Sequence, residues 1–139
     1  MKALMANEQI SLKLDGRGNR QYLPGETLAG SYYIDEIRNS IIEAVEISVL
    51  WFTEGKGNQD YGIHAFWRRS NQAGDWIDPR KPGRFSTTLP NSPLSYEGQL
   101  IKVRWAVRVR VFLDNGKEIV EELVFRLGNI PNVRKLKAE

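Results

Sequence analysis

Residues 101–113 read IKVRWAVRVRVFL, and this stretch decides the fold class. Every second residue from Ile101 to Leu113 is apolar, and most of the residues between them are basic. A period of two predicts a long β-strand with one buried and one wet face, because successive side chains of a strand point to opposite sides of its sheet. The turn residues Asp114-Asn115-Gly116-Lys117 and a further apolar segment, 118–127, follow. We therefore expect the strand to turn back as a hairpin.

The same alternation predicts five more strands, over about 10–14, 27–35, 41–53, 61–69 and 85–89. In the fourth of these we expect Ile63, Ala65 and Trp67 on one face and the residues of the other parity opposite them. Residues 70–83 contain too many prolines and glycines for regular structure and predict a long loop, and no segment predicts a helix. Together, about seven short to medium strands predict an all-β, two-sheet antiparallel sandwich of the immunoglobulin-like type.

The register of the last hairpin follows from its side chains. A two-residue loop, Asn115-Gly116, would place Val109 opposite Glu122 and mix polar with apolar residues. A three-residue loop, 115–117, places Val109 opposite Leu123 and keeps the core face apolar. In that register Arg104 and Arg108 have no carboxylate opposite them.

Composition and length bound the functional classes. The 139 residues are 41% hydrophobic and 27% charged and contain four Trp, enough for one core, so we expect a single domain over 1–139 with a flexible basic tail at 129–139. No residue is cysteine, which excludes disulfides and thiolate chemistry. The longest apolar stretch, 41–52, is interrupted by Glu43 and Glu46 and is too short to span a membrane. We expect a cytoplasmic protein.

Catalytic and cofactor signatures are missing from the sequence. His64 is the only histidine, so one chain cannot build a multi-histidine metal site, and a structural role is expected for it. The loop carboxylates Asp60, Asp75 and Asp78 do not have the spacing of a calcium loop, and no G-x-S-x-G nucleophile motif occurs. The sequence predicts no cofactor, no metal and no enzymatic activity.

Two groups of residues are candidates for interaction. Lys102, Arg104 and Arg108 lie on one strand face and are suited to an anionic ligand, although a wet sandwich face explains them too. Trp76 lies in the 70–83 loop between carboxylates and is expected to be exposed, and Trp67 either joins it in a stacking surface or packs in the core. Two alternative functions remain open. The tryptophans would bind a sugar, or the basic face would bind nucleic acid.

Two motifs carry a resemblance to a known family. Residues 22–30, YLPGETLAG, resemble the Y-x-P-G-E-x-hydrophobic-x-G element of arrestin domains. Residues 85–90, FSTTLP, followed by 93–98, PLSYEG, are similar to the F-x-F-x-L-P and P-S-x-x-G elements of the same family. Both occur in the family's order, and the resemblance spans about 10–127. Arrestin-like proteins usually contain two such sandwiches, whereas this chain has the length for one.

The resemblance implies an arrestin-like sandwich that works as an adaptor or scaffold without catalysis. Its binding surface would be the 70–83 loop, the basic strand face or an unpaired sheet edge. We expect a protein partner, with an anionic ligand as a second option and nucleic acid disfavoured. We expect the chain itself to be a monomer or a weak homo-oligomer.

Overall fold

A computed structural model describes residues 9–16, 18–35, 41–57, 59–74, 77–78 and 81–128 of the chain. Within these ranges the protein is all-β, and two sheets pack face to face as a sandwich. The strands are β1 (Ile10–Leu14), β2 (Gln21–Tyr22), β3 (Thr27–Ile34), β4 (Ile42–Gly55), β5 (Tyr61–Ser70), β6 (Gly83–Thr88), β7 (Tyr96–Glu97), β8 (Ile101–Leu113) and β9 (Glu118–Leu127). The predicted fold class is confirmed.

The small sheet has the order β1-β3-β6, and the large sheet has the order β2-β9-β8-β4-β5, with β7 added to the end of β8. All neighbours are antiparallel except β2 and β9, which are parallel. We call the side of the large sheet that covers the small sheet its inner face and the opposite side its outer face. The edge of the large sheet at β5 has no partner strand among the described residues.

The core lies between the two sheets. On β8, Trp105, Val107, Val109 and Val111 are completely buried, which confirms the predicted apolar face over 105–113. Ile101 at the start of the strand is exposed, and Ala106 of the other parity is buried as well. The Nε1–H of Trp105 donates to the carbonyl of Pro93 at 2.7 Å, so this buried ring also satisfies its one polar atom. Trp105 therefore lies in the core, on the face that the alternation of 101–113 predicts to be buried.

The first motif of the family resemblance meets the 85–90 part of the second in the small sheet, whereas 93–98 lies beside the large sheet, where Tyr96 and Glu97 pair with β8. Gly25 adopts a φ of 85°, and Glu26 N donates to Leu23 O at 3.1 Å, which closes a tight turn. Gly30 of β3 pairs with Phe85 of β6, and a side chain at Gly30 would collide with the Phe85 ring. The motif residues therefore serve packing and turn geometry.

The hairpin register differs from both predictions. Leu113 N donates to Lys117 O at 2.9 Å, and Gly116, with a φ of 86°, follows a tight turn, so the loop is 114–116 and not 115–117. Asp114 belongs to the turn because its Oδ1 accepts from the N–H of Ile41 at 3.1 Å. Val109 consequently lies opposite Glu121, two positions from the predicted partner. A shift of two preserves the side of every residue, so the buried face stays the same.

Three further expectations need correction. The described residues contain nine strands where about seven were expected, because the two-residue strands β2 and β7 are too short to show a period. The predicted 70–83 loop contains a 3-10 turn at Asn71–Ala73. Ser70 caps this turn, because its hydroxyl accepts a hydrogen bond from the N–H of Gln72. Strand β4 was expected to bury one face, yet Ala44 and Leu50 of the other parity are buried too.

Candidate functional site

The basic side chains of β8 lie on the outer face of the large sheet among carboxylates from neighbouring strands. Register places Glu46 of β4 between Arg68 of β5 and Arg110 of β8. The ion pairs on this face, which we call the charge ladder, are Arg68–Glu46, Lys102–Glu97 at 4.0 Å, Arg104–Glu54 at 2.6 Å, Arg104–Glu97 at 3.1 Å, Arg108–Glu122 at 2.7 Å and Arg110–Glu118 at 2.7 Å. Five cations meet five carboxylates, so the charge ladder is locally neutral.

The prediction that Arg104 and Arg108 lack carboxylates is wrong. Arg108 pairs with Glu122 because the true hairpin register sets these two residues directly opposite each other. Arg104 is held by two carboxylates, one from β4 and one from β7. The hydrogen bond to Glu54 raises the pKa of Arg104 above its ordinary value, with partial burial opposing the shift. The argument that these arginines wait for an anionic partner therefore loses its basis.

The tryptophan candidates are separated in the structure. Trp67 lies on the inner face, partly buried, with its ring 6.3 Å from that of Phe85 in the small sheet. This position favours a role in joining the two sheets over a role in an exposed stacking surface. Trp76 lies outside the described residues, so its expected exposure stays a prediction.

The single histidine also joins the sheets. His64 Nε2 lies 2.8 Å from the carbonyl oxygen of Thr88 and 3.2 Å from the hydroxyl of Thr87, both in or beside β6. A carbonyl can only accept, so Nε2 carries the proton and donates. The imidazole also meets the Trp105 ring edge-on at 6.2 Å. These contacts agree with the structural role expected for His64.

His64 reaches the inner face because β5 contains a β-bulge. Ala65 pairs with Val49 of β4 and Ile63 pairs with Leu50, so His64 is the extra residue of the ladder. The bulge reverses the alternation of β5, and Ile63 therefore lies on the outer face together with Phe66. The predicted grouping of Ile63 with Ala65 and Trp67 is wrong for this reason. One inserted residue exchanges the faces of half a strand.

An apolar groove results on the outer face, and sequence reasoning missed it. Tyr61, Ile63 and Phe66 are 68%, 56% and 49% exposed, although all three are large and apolar or aromatic. They border a groove of about 550 Å³, which we call the outer groove. Its remaining lining includes Leu50 and Phe52 of β4 and the charged side chains Glu46, Glu54, Asp60, Arg108 and Arg110. One weak signal for it lies in 61–69, where Phe66 adds a large apolar residue to the otherwise polar parity of the strand.

Two negative findings concern the described residues only. Within them, no group of three or more histidine, aspartate or glutamate side chains is placed to hold a metal ion. In the same ranges, no helix has the length and apolar character needed to cross a membrane.

Comparisons with known proteins give a fold but no family. No family model matches the sequence, and no curated protein matches it either. Among solved structures, that of Spo0M, a sporulation control protein from Bacillus subtilis, is similar with a TM-score of 0.60 and 18% sequence identity over 88% of this chain. The chain spans about half of that protein, since the match covers 50% of it. Spo0M has an arrestin-like fold, and the resemblance is therefore supported at the level of the fold.

Proposed function

We propose that this chain, as one arrestin-like domain over 1–139, is a non-enzymatic module that binds a protein through the outer groove and the neighbouring edge of β5. The observation that carries the proposal is the exposed apolar cluster Tyr61, Ile63 and Phe66 on an edge strand that has no partner strand in the described part of the chain. A contiguous exposed apolar cluster typically marks an interaction site. A cytoplasmic location stays a prediction.

The electrostatics of the outer face favour a protein partner over nucleic acid. A polyanion gains affinity when unpaired cations neutralise its phosphates. On the charge ladder the cations already have carboxylate partners, so an arriving phosphate would have to displace them. The apolar groove beside these pairs matches the usual anatomy of a protein interface, an apolar centre with a polar rim.

Other observations are compatible with a binding module. The Nε2–H of His64 donates a hydrogen bond to the carbonyl of Thr88. The structurally similar Spo0M is described as a sporulation control protein, which is a regulatory role. The sugar-binding alternative needs two exposed coplanar tryptophan rings, and Trp67 packs against Phe85 instead.

Site-specific photo-cross-linking in the source cells tests the proposal. A photoreactive phenylalanine analogue at Phe66 should yield adducts with a partner protein, whereas the same analogue at Val120 should not. Val120 is a suitable control because it is also apolar, 40% exposed and on the outer face, but it belongs to β9, three strands from β5.

The captured partner must then bind the purified chain directly. We expect Phe66→Lys to weaken that binding at least tenfold and Val120→Lys to leave it unchanged, since truncating or charging an interface anchor costs about 1–4 kcal/mol. Equal adduct formation from both positions, or binding that Phe66→Lys does not change, would refute the outer groove as the binding surface.

A further inference from the structure

The edge of β5, which no described strand covers, offers backbone hydrogen-bonding groups as well as apolar side chains. The N–H of Thr53 donates to the carbonyl of Asp60 at 3.0 Å across the β4–β5 ladder. In an antiparallel pair, residues that bond to the partner strand alternate with residues whose N–H and C=O point away from it. Tyr61 and Ile63 therefore direct their backbone groups outward, away from β4.

We propose that β5 pairs antiparallel with β5 of a second copy of this chain, so that the two large sheets join into one. The inference rests on the proposed function, since it uses the β5 edge as the binding surface, and it goes further by naming the partner. The two copies would be related by a two-fold axis perpendicular to the sheet, the symmetry of neighbouring antiparallel strands and of most dimers.

The bulge selects a single register for this pairing. Residues directly opposite each other must lie on the same face of the joined sheet. Before the bulge Tyr61 and Ile63 are on the outer face, and after it the outer residues are Phe66 and Arg68. Only one alignment matches the faces along the whole strand, and in it Ile63 faces Phe66 of the second copy and Tyr61 faces Arg68 of the second copy. Moving the strands by one residue pairs inner with outer residues, and moving them by two does so at the bulge.

Side-chain chemistry is complementary in the register that the backbone selects. The exposed Ile63 and Phe66 cover each other twice, once on each side of the axis. The guanidinium of Arg68 meets the ring of Tyr61, as it already meets Phe112 at 5.5 Å within the chain. Asp60 lies opposite Arg69, and Arg69 is exposed and has no ion pair among the described residues. Apolar, cation–aromatic and oppositely charged pairs thus coincide.

The dimer should be weak. One pair of edge strands forms an interface at or below the lower end of the range for specific complexes, about 1,200 Å². We expect a dissociation constant on the order of 10 μM, in line with the weak homo-oligomer expected from the sequence.

Sedimentation velocity of the full chain tests the pairing. Between about 1 μM and about 500 μM the weight-average mass should rise from the monomer value of 15.9 kDa toward twice that mass. Ile63→Lys should abolish the rise, and Val120→Lys should leave it unchanged. Both positions are exposed, so neither variant should unfold, and circular dichroism checks this.

A charge exchange tests the register. Asp60→Lys and Arg69→Asp should each place like charges opposite each other at two symmetric positions and weaken the dimer by about fivefold or more. The double variant restores opposite charges and should regain most of the affinity. A fold defect cannot produce this recovery.

Three results would overturn the inference: a monomer at every concentration, a dimer that Ile63→Lys does not disturb, or a double variant no better than its single parents. The cross-linking at Phe66 separates this failure from failure of the proposed function. A monomeric chain that still forms a Phe66 adduct with a different protein refutes self-pairing and supports the binding module. If the chain is monomeric and forms no adduct at Phe66, both the self-pairing and the binding module are refuted.

Discussion

Removing carboxylates from the charge ladder should convert a neutral face into an anion-binding one. The perturbation is the triple variant Glu54→Gln, Glu97→Gln and Glu122→Gln. Glu54 and Glu97 hold Arg104, Glu97 also lies near Lys102, and Glu122 holds Arg108. The three cations freed are Lys102, Arg104 and Arg108, which the sequence analysis named as candidates for binding an anionic ligand. The variant therefore measures how much anion affinity their carboxylate partners suppress.

The expected magnitude follows from the number of freed cations. Each phosphate that a cation neutralises on duplex DNA adds about −0.9 to the slope of log affinity against log salt concentration. Three freed cations therefore predict a slope between about −2 and −3. Each broken pair is partly exposed and contributes at most about 1 kcal/mol to the free energy of unfolding, so the fold should persist.

Fluorescence anisotropy of a labelled DNA duplex across a salt series provides the assay. The wild type should bind no more tightly than about 10⁻⁴ M near physiological salt. A control with Asp35→Asn, Glu43→Gln and Asp60→Asn changes the net charge of the chain equally but leaves every ion pair of the charge ladder intact. The reasoning is refuted if the wild type already shows a slope near −2, or if the triple variant is no steeper than this control.

Three further predictions concern stability, each measured by urea unfolding. Trp105→Phe should lower the free energy of unfolding by about 2–4 kcal/mol, because it leaves a cavity and an unpaired Pro93 carbonyl. Trp51→Phe, at a partly exposed site, should lower the free energy of unfolding by less than half as much. Gly62→Ala should cost about 1–3 kcal/mol because the Trp51 ring lies directly over Gly62, whereas Gly18→Ala, with open space around it, should be nearly neutral; equal effects would contradict the packing. Burial raises the pKa of Tyr32 above 10.0, so the folded protein prefers the neutral hydroxyl. The stability that comes from this preference is complete below pH 10.0 and is lost as the pH rises above it. Tyr32→Phe should therefore lose less free energy of unfolding between about pH 9 and about pH 11 than the wild type. An identical loss in both proteins would exclude Tyr32 as the cause.

The sequence predicted the strands well because their alternation is regular and their ends carry turn residues. The bounds of β8 and β9 match the prediction at 101–113 and 118–127. The buried face of β8 was also correct, since period-two burial depends on parity alone. Register needs more information than parity. The loop moved by one residue toward β8 because Asp114 is fixed by Ile41, a contact across 73 residues that no local pattern contains.

The charge ladder could not be predicted for a related reason. Sequence reasoning considered carboxylates within the β8–β9 hairpin, but Arg104 finds Glu54 on β4, 50 residues away. Such pairs depend on strand order, and alternation does not determine which strands become neighbours. The prediction that Arg104 lacks a carboxylate failed at this step, whereas the same prediction for Arg108 failed at the hairpin register, which sets Glu122 opposite it. The placement of both arginines on one face of the sheet was correct.

The bulge at His64 links the core of the protein to its proposed binding surface. A regular β5 would keep Ile63 on the face of Trp67, and the exposed cluster on the outer face would then lose one of its members. Because of the bulge, His64 points to the inner face, where its hydrogen bond to Thr88 joins β5 to the small sheet. The same bulge places Ile63 on the outer face. The sandwich contact and the outer groove therefore depend on one backbone irregularity. Bulges recur at sheet edges and beside functional sites, where the extra residue redirects side chains and bends the strand locally. It follows that a change which straightens β5 should weaken the packing of the two sheets and remove the binding surface together.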